Sequence, residues 1–108
     1  MSKSTVKANA GICGFISEIT AVSQDGQNVQ VTLKTDCSSL APMAKELSEI
    51  NAFSACFGKP CDSTVYTVAN KYCAHAACPV PGAIIKAIEV ACGFALPKDV
   101  HIVISKDE

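Results

Sequence analysis

Apolar and polar side chains alternate most clearly in the second quarter of the chain, with the two-residue period of a β-strand. The apolar positions that share one face are Val29, Val31 and Leu33. Asp25-Gly26, just before them, is a strong signal for a tight turn between two strands. We therefore predict a β-hairpin over residues 11–37, "GICGFISEITAVSQDGQNVQVTLKTDC".

Helical spacing of apolar residues replaces this alternation in three later segments. Residues 38–51 predict an amphipathic helix, and residues 78–93 predict a second one that stops at Gly93. Residues 62–72 fit a helix but are rich in β-branched side chains that also suit a strand, and we favour the helix. Residues 99–105, "DVHIVIS", return to alternation and predict a short strand.

Together these elements predict an α+β fold. Residues 1–9 are expected to form a flexible tail, and residues 10–108 a single cysteine-rich domain. Its core would be a three-stranded antiparallel sheet, made by the hairpin and residues 99–105, with helices packed on one face.

Cysteines are the residues with the clearest chemical potential, and the chain has seven of them. Cys13 and Cys37 stand twelve residues on either side of Asp25, so the hairpin is expected to bring them opposite each other or one step out of register. Cys37 precedes one predicted helix and Cys78 opens another. Amides at a helix N-terminus favour a thiolate and lower its pKa, as a metal ligand requires.

The overall charge narrows the classes of partner. The formal net charge is −1, and the nine basic residues are all lysines. This argues against binding to nucleic acid or to an anionic membrane surface. The longest apolar stretch, residues 79–97, is interrupted by Lys86 and Glu89 and is not expected to span a bilayer. The polar N-terminus lacks the apolar segment of a secretion signal, which indicates a cytoplasmic protein. An odd number of cysteines in a reducing compartment favours metal binding or redox chemistry over structural disulfides.

The order of these features resembles the NifU/IscU-type iron–sulfur cluster scaffolds. Cys13-Gly14 opens the first strand, "LKTDC" ends the second, and "CPVPGAIIKAIEVA" begins the last helix. The resemblance covers residues 12–92 and implies a related fold, an iron–sulfur cluster as cofactor, and cluster donor or acceptor proteins as partners. It also implies that Cys13, Cys37 and Cys78 are the cluster ligands. A weaker likeness links Cys78-Pro79 to the cysteine-rich C-terminal domain of cobalamin-dependent ribonucleotide reductases.

Two ligand positions of the scaffold family are changed in this chain. Phe15 stands where the family has an aspartate, and Ala77 stands where it has a histidine. The residues that are candidates to replace them are Cys61, Cys73 and His75. We therefore predict a metal site of Cys13, Cys37, Cys73 and Cys78, which Cys61 or His75 would complete.

Other interpretations of the cysteines remain open. A structural zinc module would use the same thiolates, although the repeated C-x₄-C spacing at 56–61 and 73–78 differs from the C-x₂-C of zinc knuckles. A metal-free protein that handles thiol redox or persulfide chemistry is a further alternative, and Cys56 and Cys61 could form a disulfide. Cys92 is expected to pack in the core. No nucleophile elbow, H-E-x-x-H pair or phosphate-binding loop is present, so the sequence favours binding over catalysis.

Overall fold

A four-stranded antiparallel sheet with helices on one face forms the computed structural model, which describes residues 2–107. Met1 and Glu108, the outermost residues of the predicted tail and domain, lie outside that range. In spatial order the strands are β1 (Ser2–Asn9), β2 (Ile16–Ser23), β3 (Asn28–Thr35) and β4 (Glu49–Asn51). The helices are α1 (Met43–Glu46), α2 (Ala52–Cys56), α3 (Thr64–Tyr72) and α4 (Val80–Ala91), and a 3₁₀ turn covers Pro60–Asp62.

The predicted hairpin is confirmed as β2 and β3. The Asp25 carboxylate accepts hydrogen bonds from the backbone N–H of Gln27 at 2.9 Å and of Asn28 at 2.8 Å, which hold the turn. These backbone hydrogen bonds, that of Asn28 first, lower the pKa of Asp25 to about 2. Gly26 has a φ of 75°, in the left-handed region that glycine adopts without strain. The turn therefore forms where the Asp-Gly pair predicted it.

Helix α4 packs across β1 and β2 and fixes the layer structure. Ile84 and Ile88 are completely buried, and the Ser4 hydroxyl of β1 donates a hydrogen bond to the Ala87 carbonyl at 2.5 Å. The C-terminal end of α4 lies beside Ser2 and Ser23, at the end of the sheet that carries the β2–β3 turn. The N-terminal end of α4 therefore lies at the opposite end, beside the β1–β2 loop.

The expected tail over residues 1–9 is wrong, because the described part of it is strand β1, paired with β2 along its whole length. Its inward positions carry small or weakly apolar side chains, with Ser4 and Ala8 buried and Val6 half-buried. Small side chains suit a strand beneath a closely packed helix, but they leave little hydrophobic pattern in the sequence.

The predicted third strand over residues 99–105 is also wrong, and the sheet has four strands where we expected three. Those residues form no strand, and their apolar side chains face solvent. The outer edge of β3 is partly occupied by β4, in which Ile50 pairs with Val29. That pairing shortens the helix expected over residues 38–51 to α1, because Ile50 is buried in the sheet instead of on a helix.

The other two helix predictions are confirmed. The segment that fitted either a helix or a strand is α3, and the final amphipathic segment is α4, followed by Gly93 with a φ of 77°. Ser63 precedes α3 but does not cap it, since its hydroxyl donates to the Ala55 carbonyl at 2.6 Å. Among residues 2–107, no helix is long and apolar enough to cross a membrane.

The packing of α4 predicts the most damaging core truncation. Ile88→Ala removes a fully buried side chain and leaves a cavity between α4 and the sheet, so we expect a loss of about 2–5 kcal/mol in the free energy of unfolding. Ile12→Ala is the control, because Ile12 is fully exposed and its truncation should change stability by less than about 0.5 kcal/mol. Urea unfolding of both variants measures the difference, and equal stabilities would contradict this assignment of the core.

Candidate thiol site

All seven cysteines are free thiols, so the disulfide considered between Cys56 and Cys61 is not formed. The fold separates most of them into two groups at opposite ends of α4. One group comprises Cys13, Cys73 and Cys78, near the helix N-terminus. The other comprises Cys56 and Cys92, near the C-terminus.

The loop between α3 and α4 brings Cys73 and Cys78 together. The His75 carbonyl accepts a hydrogen bond from the Cys73 thiol at 3.3 Å and another from the Cys78 backbone N–H at 3.2 Å. The loop therefore turns around one carbonyl oxygen, and the two thiols come within hydrogen-bonding reach of each other. This short C-x₄-C loop is the most closely organised part of the predicted site.

The surroundings of Cys78 raise the pKa of its thiol, mainly because partial burial disfavours the thiolate. The Val80 backbone N–H at the start of α4 acts in the opposite direction and lowers the pKa, as the sequence predicted for a helix N-terminus. A hydrogen bond with the Cys73 thiol and the charges of Cys73 and Cys13 raise it further. Cys78 is thus coupled to two other thiols and is protonated at neutral pH.

Cys13 reaches this group from the loop between β1 and β2, and its side chain is exposed. Gly11 and Gly14 flank it with φ values of 83° and 74°. The loop is closed by a hydrogen bond from the Ala10 N–H to the Phe15 carbonyl at 3.1 Å. Cys13 therefore sits on a tight turn supported by two glycines with left-handed backbone, next to the N-terminus of α4.

Cys37 lies at the same end of the sheet, although the expected pairing with Cys13 is wrong. Ser17 pairs with Thr35, so the register carried past the strand ends sets Cys37 opposite Phe15, two residues from Cys13. The expected helix N-terminus is also wrong, because α1 begins only at Met43. The Cys37 N–H instead donates to the Thr35 hydroxyl at 3.1 Å, and its half-buried side chain packs against the core.

The two residues expected to complete the ligand set have different outcomes. His75 contributes its backbone carbonyl to the loop, while its side chain is exposed. Cys61 precedes the nine-residue helix α3 and Cys73 follows it. A helix of that length spans about 13 Å, which places Cys61 outside the reach of a shared ligand. The proposal of Cys61 as a partner of Cys73 is therefore wrong.

The group at the other end of α4 was not anticipated as a unit. The Cys56 thiol donates to the Ile85 carbonyl at 3.9 Å, and burial, with the charges of Glu89 and Cys92, raises its pKa to about 12. Burial also raises the pKa of Cys92, which packs against the core as predicted. Glu89 and Cys92 are three residues apart on one helix, and that spacing was the available sequence signal.

Within the described range, 2–107, no three or more His, Cys, Asp or Glu side chains are arranged so that they could hold a metal ion. The structure therefore presents a coupled pair, Cys73 and Cys78, with Cys13 as a third thiol close enough to influence its charge. A third sulfur ligand would require the exposed Cys13 loop to move towards that pair.

The coupling between the loop thiols is directly testable by replacing Cys73 with alanine. This change removes the hydrogen bond and the charge that raise the pKa of Cys78, so alkylation of Cys78 should reach its half-maximal rate at a lower pH. The measurement is iodoacetamide labelling across pH, followed by peptide mass spectrometry. Cys92→Ala is the matched control and should leave the profile of Cys78 unchanged. An equal profile in wild type and Cys73→Ala would show that the two thiols are not coupled.

Comparison with known proteins identifies only a family. No curated protein and no solved structure is significantly similar to the chain. Residues 4–104 match the model of a family of unknown function, DUF6951. The match includes all four strands and four helices as well as Cys13, Cys73 and Cys78. The chain therefore belongs to the DUF6951 family.

Proposed function

We propose that this protein binds a thiophilic metal centre through Cys13, Cys73 and Cys78, with an iron–sulfur cluster as the preferred occupant. The observation that carries the proposal is the mutual influence of three thiols from two separate loops at the N-terminus of α4. Clustered thiols repel one another as thiolates, and a bound cation removes that repulsion. Cys37, at the same end of the sheet, is the fourth ligand in this proposal, and His75 is the alternative.

The immediate surroundings of Cys78 suit a metal-bound thiolate. The Val80 N–H donates to its sulfur, and hydrogen bonds to ligand sulfurs stabilise the charge that a metal–thiolate bond carries. Because the pKa of Cys78 is raised in the metal-free protein, binding must release a proton from it. Metal affinity should therefore fall as the pH decreases, and fall more steeply than for a thiol with an ordinary pKa.

The position of Cys13 adds a mechanical requirement. Its turn is exposed on the surface, whereas Cys73 and Cys78 are half-buried beside the core. Binding would draw the 10–15 turn onto the α3–α4 loop and bring the third sulfur into the coordination sphere. An exposed ligand of this kind also suits exchange of a cluster with donor or acceptor proteins, as the resemblance to NifU/IscU-type scaffolds implies.

A single zinc ion at the same thiolates is the alternative occupant. In that case the metal would tie the β1–β2 loop to α4 and contribute mainly to folding stability. Zinc needs four ligands in a closed structural site, whereas a cluster on a scaffold tolerates an exposed position. The identity of the metal separates these two forms of the proposal.

Metal analysis of protein purified without oxygen tests the proposal. We expect wild type to take up iron and sulfide with visible charge-transfer absorption, Cys78→Ser and Cys13→Ser to lose that uptake, and Cys37→Ser to be impaired. Cys92→Ser is the matched control, since Cys92 lies at the other end of α4, and it should retain full uptake. Zinc bound without colour, and lost in the same variants, would assign the zinc form.

A dithiol redox function is the second candidate, and the hydrogen bond between Cys73 and Cys78 favours it. Oxidation would join the two sulfurs as a disulfide, while a disulfide substrate accepts the two electrons and two protons and is cleaved to two thiols. Folded wild-type protein that takes up neither zinc nor iron and sulfide would overturn the metal proposal. Formation of a Cys73–Cys78 disulfide by that protein in a glutathione buffer would support the redox function.

A further inference from the structure

The C-terminal segment after α4 is apolar, alternating and exposed. Val100, Ile102, Val103 and Ile104 expose 58%, 74%, 93% and 87% of their surface, respectively. Three of them recur every second residue, which is the pattern of a strand with one buried face. An isolated apolar strand of this kind gains its stability only when it pairs with another strand. The family match runs to residue 104, so this segment is part of the family's domain.

The sheet offers one full-length edge that could accept such a strand. In the part of the chain that the structure describes, β1 pairs with β2 alone, and its other side is an open row of backbone donors and acceptors. The opposite edge, β4, has only three residues. An eight-residue edge with no bulge or proline is a template for the addition of a further strand.

We propose that residues 99–105 of one copy of this protein add antiparallel to β1 of a second copy, and that two copies exchange these segments reciprocally. The side chains match in phase, because Ser4 and Val6 face inward on β1 and Val100 and Ile102 share one face of the segment. The register that sets Val100 opposite Val6 also sets Asp99 opposite Lys7, an oppositely charged cross-strand pair.

The beginning of the segment explains why the second copy is favoured over the chain's own β1. Phe94 packs between Phe53 and Phe57 of the α2 region, with ring centroids 5.5 Å and 5.0 Å away. Helix α2 directly follows β4, which lies three strand spacings, about 14 Å, from β1. The molecule is 50 Å long but only 27 Å and 25 Å across, in keeping with a segment that projects from the body.

A chain segment that entered at this point could add to its own β1 only in parallel, because it starts at the end of the sheet where β1 begins. A second copy permits the antiparallel arrangement, whose hydrogen bonds are somewhat more favourable. Reciprocal exchange also closes the assembly as a two-fold dimer and leaves neither β1 edge open. The dimer therefore satisfies two surfaces that the single chain leaves without a partner.

Sedimentation analysis of the full-length reduced protein tests this proposal over a concentration series. We expect wild type to dimerise and Ile102→Asp to weaken the dimer by about tenfold or more, because the side chain can no longer be buried. Ile12→Asp is the matched control, as Ile12 is equally exposed but lies outside both strands, and its dimer should be unchanged. Circular dichroism verifies that both variants are folded.

Charge reversal tests the register. Lys7→Asp should weaken the dimer, and the added substitution Asp99→Lys should restore it, since the pair is re-formed with opposite signs. Hydrogen exchange should show that the β1 amides are protected in the dimer and lose that protection in Ile102→Asp. A wild-type protein that stays monomeric at high concentration, or an undiminished dimer in Ile102→Asp, would overturn the proposal.

Discussion

Helix α4 buries Ile84 and Ile88 against the inner face of β1 and β2, and the arrangement of the thiols depends on that contact. The helix runs antiparallel to β1, as shown by the hydrogen bond from Ser4 to the Ala87 carbonyl and by its C-terminal end beside Ser2. Its N-terminal turn is thereby held at the end of the sheet where β1 connects to β2. Cys78 and the Cys13 loop meet because the core fixes the direction of this helix.

The same helix separates two chemically different thiol groups. At its N-terminus, Cys78 receives a hydrogen bond from a backbone N–H and is coupled to thiols on two loops. At its C-terminus, burial and the nearby Glu89 carboxylate hold the pKa of Cys56 at about 12. A thiol beside a carboxylate stays protonated and inert, whereas thiols beside a helix N-terminus can be deprotonated by a cation. This contrast is the physical reason for assigning chemistry to the first group and packing to the second.

The parts of the fold that the sequence predicted correctly are those with strong local patterns. The hairpin follows from Asp25-Gly26 and the alternation after it, and α4 follows from its apolar spacing and Gly93. Strand β1 escaped prediction because its inward positions hold Ser4 and Ala8, whose small size matters only once α4 lies over them. Residues 99–105 have a strand pattern without a strand, since alternation indicates a preferred conformation but does not supply a neighbour.

The candidate site divides along the same line. That Cys13 and Cys37 lie at one end of the sheet follows from the hairpin, but their register depends on the length of the turn, which shifts Cys37 opposite Phe15. Cys61 was misjudged because its separation from Cys73 is set by the length of α3 rather than by sequence distance. The hydrogen bonds to the His75 carbonyl, which bring Cys73 and Cys78 together, have no counterpart in the spacing of residue types.

The central claim is that the fold gathers Cys13 with Cys73 and Cys78, and cross-linking of the reduced, metal-free protein tests it most directly. A short thiol-specific bifunctional reagent, applied to native and to urea-unfolded protein and followed by peptide mapping, reports which cysteines are neighbours. The account predicts that Cys13 is linked to Cys78 or Cys73 in the native protein and that this product is lost on unfolding. It also predicts no native link between Cys13 and Cys61. A Cys13–Cys78 yield that does not exceed that of the unfolded chain, or an equal yield with Cys61, would contradict it.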